Sequence, residues 1–125
     1  KIVYFVLNLN NREKDIRKLV NKIESCIIQI LKEFQIKSYA DKKNIGIWVK
    51  NKNDLMKIAA IGIRVKKWVA YHGFAINLSN DLSKYNNIIP CGIKDKGITN
   101  LKNMGVINFS NIEKIITEKF LKTFP

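Results

Sequence analysis

The sequence predicts a mixed α/β domain, of the α+β kind, with a mostly antiparallel sheet and flanking helices. Three observations lead there. Runs dense in β-branched and aromatic residues recur along the chain, two longer stretches carry apolar residues at helical spacing, and the order is strand, helix, hairpin, strand, loop, helix. At 125 residues the chain fits one domain, residues 1–125, and a chain of that size buries roughly two thirds of its extended surface.

Residues Ile2 to Leu9 read as a largely buried strand. Asn10 followed by Glu13 resembles a capping box, and Ile16, Leu19, Val20, Ile23, Ile27, Ile30, Leu31 and Phe34 then recur at helical spacing, so the long helix belongs here. Cys26 lies beside that stripe and reads as a small buried thiol. From Ile45 to Lys50 a short strand leads into "NKND", a turn composition, and "LMKIAAIGIRVK" resumes as the second arm of a hairpin. "WVAYHGFAINL" is a third strand in this region. Gly62 and Gly73 interrupt two of these strands and leave backbone open to close approach. The polar run "SNDLSKYNNI" follows, with Leu82 and Tyr85 spaced for one helical turn, and near the end Ser110 and Glu113 form a second capping box before Ile112, Ile115, Ile116 and Phe120 on one helical face.

The formal charge of +13, from 23 basic and 10 acidic residues spread along the whole chain, expects an acidic partner. Nucleic acid, acidic carrier proteins and phosphorylated substrates all satisfy it, and the heavy use of Lys, Asn and Ile points to a compositional share in the excess. Two cysteines, Cys26 and Cys91, make no disulfide framework and no Cys-x-x-Cys metal spacing, which favours a reducing compartment. No apolar run approaches the roughly 18 residues of a spanning helix and no signal segment opens the chain, so the expectation is a soluble cytoplasmic protein with no membrane partner. The opening "KIVYFVLNLN", with neither initiator methionine nor polar lead-in, reads as cut from something longer.

The residues that invite chemistry are Cys91 and Lys57. Cys91 sits between Pro90 and Gly92 in "IIPCGIKDKGIT", and a thiol at the apex of such a turn is held where a substrate can reach it. A thiol is a useful nucleophile only as thiolate, which a nearby ammonium favours. Lys57, a lysine within an apolar strand, is a candidate for that ammonium, although such lysines also serve as surface residues with their heads in water.

Taken together, "KIAAIGIRVKKWVAYHGFAINLSNDLSKYNNIIPCGIKDKGITNL" resembles the octanoyltransferases, the lipoyl(octanoyl) transferases of lipoic acid biosynthesis. The likeness rests on the Lys-Ile-Ala-Ala-Ile-Gly-Ile-Arg strand, the His-Gly-Phe-Ala-Ile-Asn strand, the Asp-Leu-Ser turn, and the Pro-Cys-Gly turn followed by Gly-Ile-Thr. It implies a fold like the catalytic domain of biotin and lipoate protein ligases, incomplete at its N-terminal side. It implies transfer of an octanoyl group from acyl carrier protein to a protein lysine through a thioester on Cys91, with Lys57 as the activating acid/base and no cofactor. The recipients would be lipoyl domains of 2-oxoacid dehydrogenases and the glycine cleavage H protein. Ala60, Ile61 and Gly62 would line the acyl site from one strand, and Gly73, Phe74 and Ala75 from the next. His72, beside them, is expected to line the pocket or donate a hydrogen bond, the base position being filled by Lys57.

One departure is large. The family carries Arg-Gly-Gly and Tyr-His-Gly-Pro-Gly segments before its equivalent of Ile2 to Leu9, and these are missing here, so the chain is expected to expose apolar edges or self-associate. Two other readings stand against the transferase. An ATP-dependent lipoate or biotin ligase needs no nucleophilic cysteine, and a basic module binding nucleic acid would show an aromatic platform, for which Trp48, Trp68, Tyr71 and Phe74 are the candidates.

Overall fold

The structure, a computed structural model, describes residues 1–82 and 97–125. Among these residues the elements run β1 (Ile2–Asn8), α1 (Ile16–Lys32), β2 (Tyr39–Ala40), β3 (Ile47–Asn51), β4 (Asp54–Lys66), β5 (Val69–Ile76), β6 (Gly97–Ile98) and α2 (Ile112–Thr123). The strands form one sheet in the order β1-β5-β4-β3-β2, every neighbour antiparallel, with β6 added in parallel beside Met56 and Lys57 of β4. The mixed, mostly antiparallel sheet with flanking helices is the architecture the sequence predicts.

A single core lies between one face of the sheet and the two helices. Helix α1 supplies Leu19, Ile23, Ile27, Ile30 and Leu31, buried on the stripe that the sequence shows, with Cys26 buried beside it, while Ile16 at the head of that stripe is exposed. The sheet answers with Phe5, Leu7, Ile47, Val49, Ile58 and Phe74, and α2 closes the layer with Ile112 and Ile116. Phe5 and Phe120 meet with ring centroids 5.4 Å apart, tying the edge strand to α2.

Both helix starts differ from the sequence expectation. Asn10 does not cap α1, because its side chain donates to Asn8 Oδ1 at 2.9 Å and to the Lys67 carbonyl at 3.1 Å, bracing the β4–β5 turn. A short 3-10 turn over Leu9–Asn11 follows β1, and the cap passes to Asp15, whose Oδ1 accepts from the Lys18 amide at 3.0 Å. At α2 the N-cap is Asn111 with no side-chain bond, and Glu113 pairs instead with the Lys1 ammonium. The helical turn expected at Leu82 and Tyr85 falls largely outside the described residues.

The β4–β5 hairpin turns on Lys67 and Trp68, both in the left-handed region with φ of 50° and 63°. That is the backbone of a type I′ turn, built here without glycine or asparagine. The Leu9 amide, donating to the Trp68 carbonyl at 2.7 Å, helps to hold it.

The other face of the sheet carries no layer among the described residues. On β1 it presents Ile2, Tyr4 and Val6, which are 61%, 75% and 73% exposed. The expected apolar edge is therefore present.

Candidate active site

The strand register assembles most of the residues that the resemblance selects. Ala60 pairs with Ala75, Ile61 with Phe74, and Gly62 with Gly73, and β1 extends the rows through Ile2, Val3 and Tyr4. Paired residues of an antiparallel sheet share a face. Ala60, Ala75, Ile2, Gly62 and Tyr4 thus lie on the open face, where one glycine and two alanines leave a shallow trough of small residues beside the exposed Tyr4, while Gly73, buried against Val3 and Phe5, joins this row through its backbone. Ile61 and Phe74 belong to the opposite face, and Phe74 is a buried core residue. Their contribution to the trough is backbone only.

Lys57 reaches the same open face through a bulge. Ile47 pairs with Ala59 but Trp48 pairs with Lys57, so one extra residue, Ile58, is accommodated in β4. Ile58 and Ala59 are both buried in the core, and strict alternation is broken between them. Without the bulge Lys57 would share a face with Ala59 and Ile61; with it, Lys57 joins Ala60 and Gly62.

The lysine side chain is then held in place. Its Nζ lies 5.4 Å from the centroid of the Trp48 ring, a cation–π contact, and Trp48 is itself fixed by donation from Nε1 to the Asn44 carbonyl at 3.1 Å. Gly46 is open where the lysine passes: a Cβ there would sit 2.5 Å from Lys57 Cε and 3.1 Å from the Ala59 carbonyl. Trp48 and Gly46 are the partners that sequence reading did not attach to Lys57, although the pair is visible as "GIW".

The two strand glycines have different reasons. A Cβ on Gly73 would collide with the Val3 carbonyl of β1, so close approach by a neighbouring strand requires this glycine. At Gly73 this is a packing reason, which stands beside the acyl-site role that the resemblance implies for it. A Cβ on Gly62 meets nothing within 4 Å, so this position faces open space above the sheet.

His72 adopts φ of 70°, a conformation that non-glycine residues rarely take. It pairs with Phe5 and Ile63, positions of the core face, yet it is exposed, and its ring lies 4.9 Å from that of Tyr71. The left-handed backbone at this residue breaks the alternation of β5.

Cys91 lies outside the described residues, but the chain on both sides of that segment is anchored beside Lys57. Ile98 pairs with Lys57, and the Thr99 amide donates to the Lys57 carbonyl at 2.9 Å. Asn77 Nδ2 donates to the Thr99 carbonyl at 3.1 Å, and Asn100 Nδ2 donates to the Asn80 carbonyl at 3.0 Å, joining the two stems. The Thr99 hydroxyl is buried without a hydrogen-bond partner among the described residues, a polar group left available next to the lysine strand. Cys26, by contrast, is 1% exposed, and burial pushes its thiol up from the ordinary range, against smaller opposing effects of Thr123 and Lys119. No group of three or more His, Cys, Asp or Glu side chains suited to a metal occurs among the described residues, and no helix among them is long and apolar enough to cross a membrane.

A lysine held on an aromatic ring thus stands at one end of a row of glycine and alanine positions on one face of the sheet. Residues 2–121 match the lipoyl protein ligase A/B catalytic domain, and the chain belongs to that family. Its curated relatives include octanoyltransferases of Rickettsia peacockii, at 48% identity, and Rickettsia canadensis, at 49%, each aligned over 99% of this chain. The chain spans 61% of the length of these relatives. Among solved structures it resembles the apo biotin protein ligase of Aquifex aeolicus, with a TM-score of 0.69 at 18% identity, covering 96% of this chain and 50% of that one. It also resembles the bi-partite lipoate protein ligase of Thermoplasma acidophilum, with a TM-score of 0.67 at 12% identity, covering 87% and 46%. At these identities the structural likeness concerns the fold.

Proposed function

We propose that this chain is the catalytic part of an octanoyltransferase, moving an octanoyl group from octanoyl-acyl carrier protein to the lysine of a lipoyl domain through a thioester on Cys91. The observation that carries the reading is the bulge at Ile58, which sets Lys57 on the same open face as Ala60, Gly62 and Ala75. Identity of 47–49% to octanoyltransferases along nearly the whole chain supports it.

In the first half-reaction the Cys91 thiolate attacks the thioester carbonyl, a C–S bond forms to the enzyme, and the carrier thiolate leaves and takes up a proton. In the second, the amine of the recipient lysine attacks the acyl-enzyme, an amide C–N bond forms, and the Cys91 sulfur leaves as the amine loses its proton. Lys57 is the group to stabilise the thiolate and to move protons between sulfur and amine. The apolar, small-residue trough suits an alkyl chain, and the acidic carrier and lipoyl domains suit a chain of charge +13.

The test is intact mass after exposure to octanoyl-acyl carrier protein. One octanoyl group gained, mapped to Cys91 and absent in Cys91→Ser but not in Cys26→Ser, is expected. Product formation that consumes ATP and free acid with no enzyme adduct would replace this reading by an ATP-dependent ligase.

A further inference from the structure

A second concave surface lies on the far side of Trp48 from the trough. It is bounded by Tyr39, Trp48 and Leu55, with Lys42, Lys43 and Lys50 at its rim. The Tyr39 ring carries two ammonium groups, Lys37 at 5.8 Å and Lys50 at 5.9 Å from its centroid. Asp41 is also in the wall, where its carboxylate accepts from the Lys43 amide at 2.9 Å and from Asn44 Nδ2 at 3.1 Å, closing the turn before β3. Four exposed lysines against one aspartate leave the surface basic.

We propose that this cleft is the docking surface for the donor, an acidic carrier protein whose acyl group hangs on a phosphodiester-linked pantetheine arm. The inference rests on the transferase reading and assigns a place to one of its two protein partners. Three features favour the donor over the recipient. Both partners are acidic, but the rim lysines also match the phosphodiester at the base of the arm, whereas a recipient lysine offers only an amine at the reacting end. The Tyr39 and Trp48 walls suit the amide and methylene groups of the arm itself. Finally, Trp48 is shared: it lines the cleft, and the same ring holds Lys57 Nζ at 5.4 Å. An arm lying along this wall is delivered beside Lys57, the group that moves protons in the proposed transfer.

The experiment measures equilibrium binding of octanoyl-loaded carrier protein and, separately, of a lipoyl domain to the 125-residue chain. The triple variant Lys42→Glu, Lys43→Glu, Lys50→Glu is compared with wild type and with a charge-matched control, Lys22→Glu, Lys32→Glu, Lys114→Glu, on the helices. The cleft variant is expected to weaken carrier binding by about tenfold or more and to leave lipoyl-domain binding within about twofold, while the control changes neither by more than about twofold. Equal weakening by the cleft and control variants, unchanged carrier binding, or loss confined to the lipoyl domain or to RNA would each overturn the assignment. Turnover of octanoyl-pantetheine, which lacks the phosphate, separates the two hypotheses. Absence of turnover by wild type counts against the transferase reading, whereas normal turnover by a cleft variant that still binds carrier protein normally counts against the docking site alone.

Discussion

The Lys57 side chain has little freedom left. A strand lysine ordinarily extends its stem to water and samples many rotamers, but here the Trp48 ring and the open position at Gly46 hold the stem. Replacing Lys57 by methionine keeps the stem and removes the charge. The pH profile of Cys91 alkylation should then move upward toward the ordinary thiol value of about 8.5. Arginine at this position should preserve much of the thiolate but lose transfer, since a guanidinium does not release its proton at working pH. An alkylation profile of Lys57→Met that overlays the wild type would assign the thiolate's charge partner elsewhere. The glycines separate in the same way. Gly73→Ala drives a methyl into the Val3 carbonyl and should cost about 1–3 kcal/mol by urea unfolding, while Gly62→Ala should stay within about 0.5 kcal/mol. The value of Gly62 is better tested with leucine, which should leave the unfolding midpoint near wild type and abolish loading of the acyl chain.

At the scale of elements, the long strands and the long helix are legible because each carries a sustained period, as the six buried positions of α1 show. The elements that escaped are those with too few residues to show one: β2 and β6 have two residues each. The helix starts were misplaced because Asn10 is occupied with a distant turn, a tertiary demand that a capping pattern cannot announce. The candidate trough and its union with Lys57 were legible through the motif, but the geometry of that union was not. Odd and even positions of a strand are expected on opposite faces, and only the bulge at Ile58 brings position 57 beside positions 60 and 62. The two helices are joined by Lys119 and Glu33 at 2.9 Å, and this lysine holds the Glu33 carboxyl below its usual range, as Lys1 does for Glu113. A carboxyl depressed on folding stabilises above its unfolded pKa, about 4.3, and that contribution is lost as pH falls through the lower folded value. Glu24 opposes this trend, since partial burial pushes its carboxyl up. Urea midpoints should therefore fall on acidification below about pH 4.5, and the variant Glu33→Gln, Glu113→Gln should show a shallower fall. A variant with the same acid dependence as wild type would place the effect in other carboxyls.

At the scale of the molecule, the described residues form a sheet with one finished face and one open one. Ile2, Tyr4 and Val6 stand exposed along an edge strand, a combination that favours association with other chains. The 125-residue chain should sediment above its monomer mass at high concentration, and Tyr4→Lys with Val6→Lys should restore the monomer while leaving the unfolding midpoint near wild type. Persistence of the larger species would move the contact away from β1. Charge acts over the same dimensions. Salt should weaken engagement of a carrier protein more than turnover of a small uncharged thioester, because screening operates beyond about 8 to 10 Å, and equal sensitivity of both would contradict this. The bulge also sets a pattern of mutational tolerance that can be read along β4. With both readouts measured at every position, abundance should be the sensitive one at Ala59 and Ile61, and transfer at Ala60 and Gly62. Before Ile58 the phase is reversed, so that odd-numbered Lys57 should behave like its even-numbered successors.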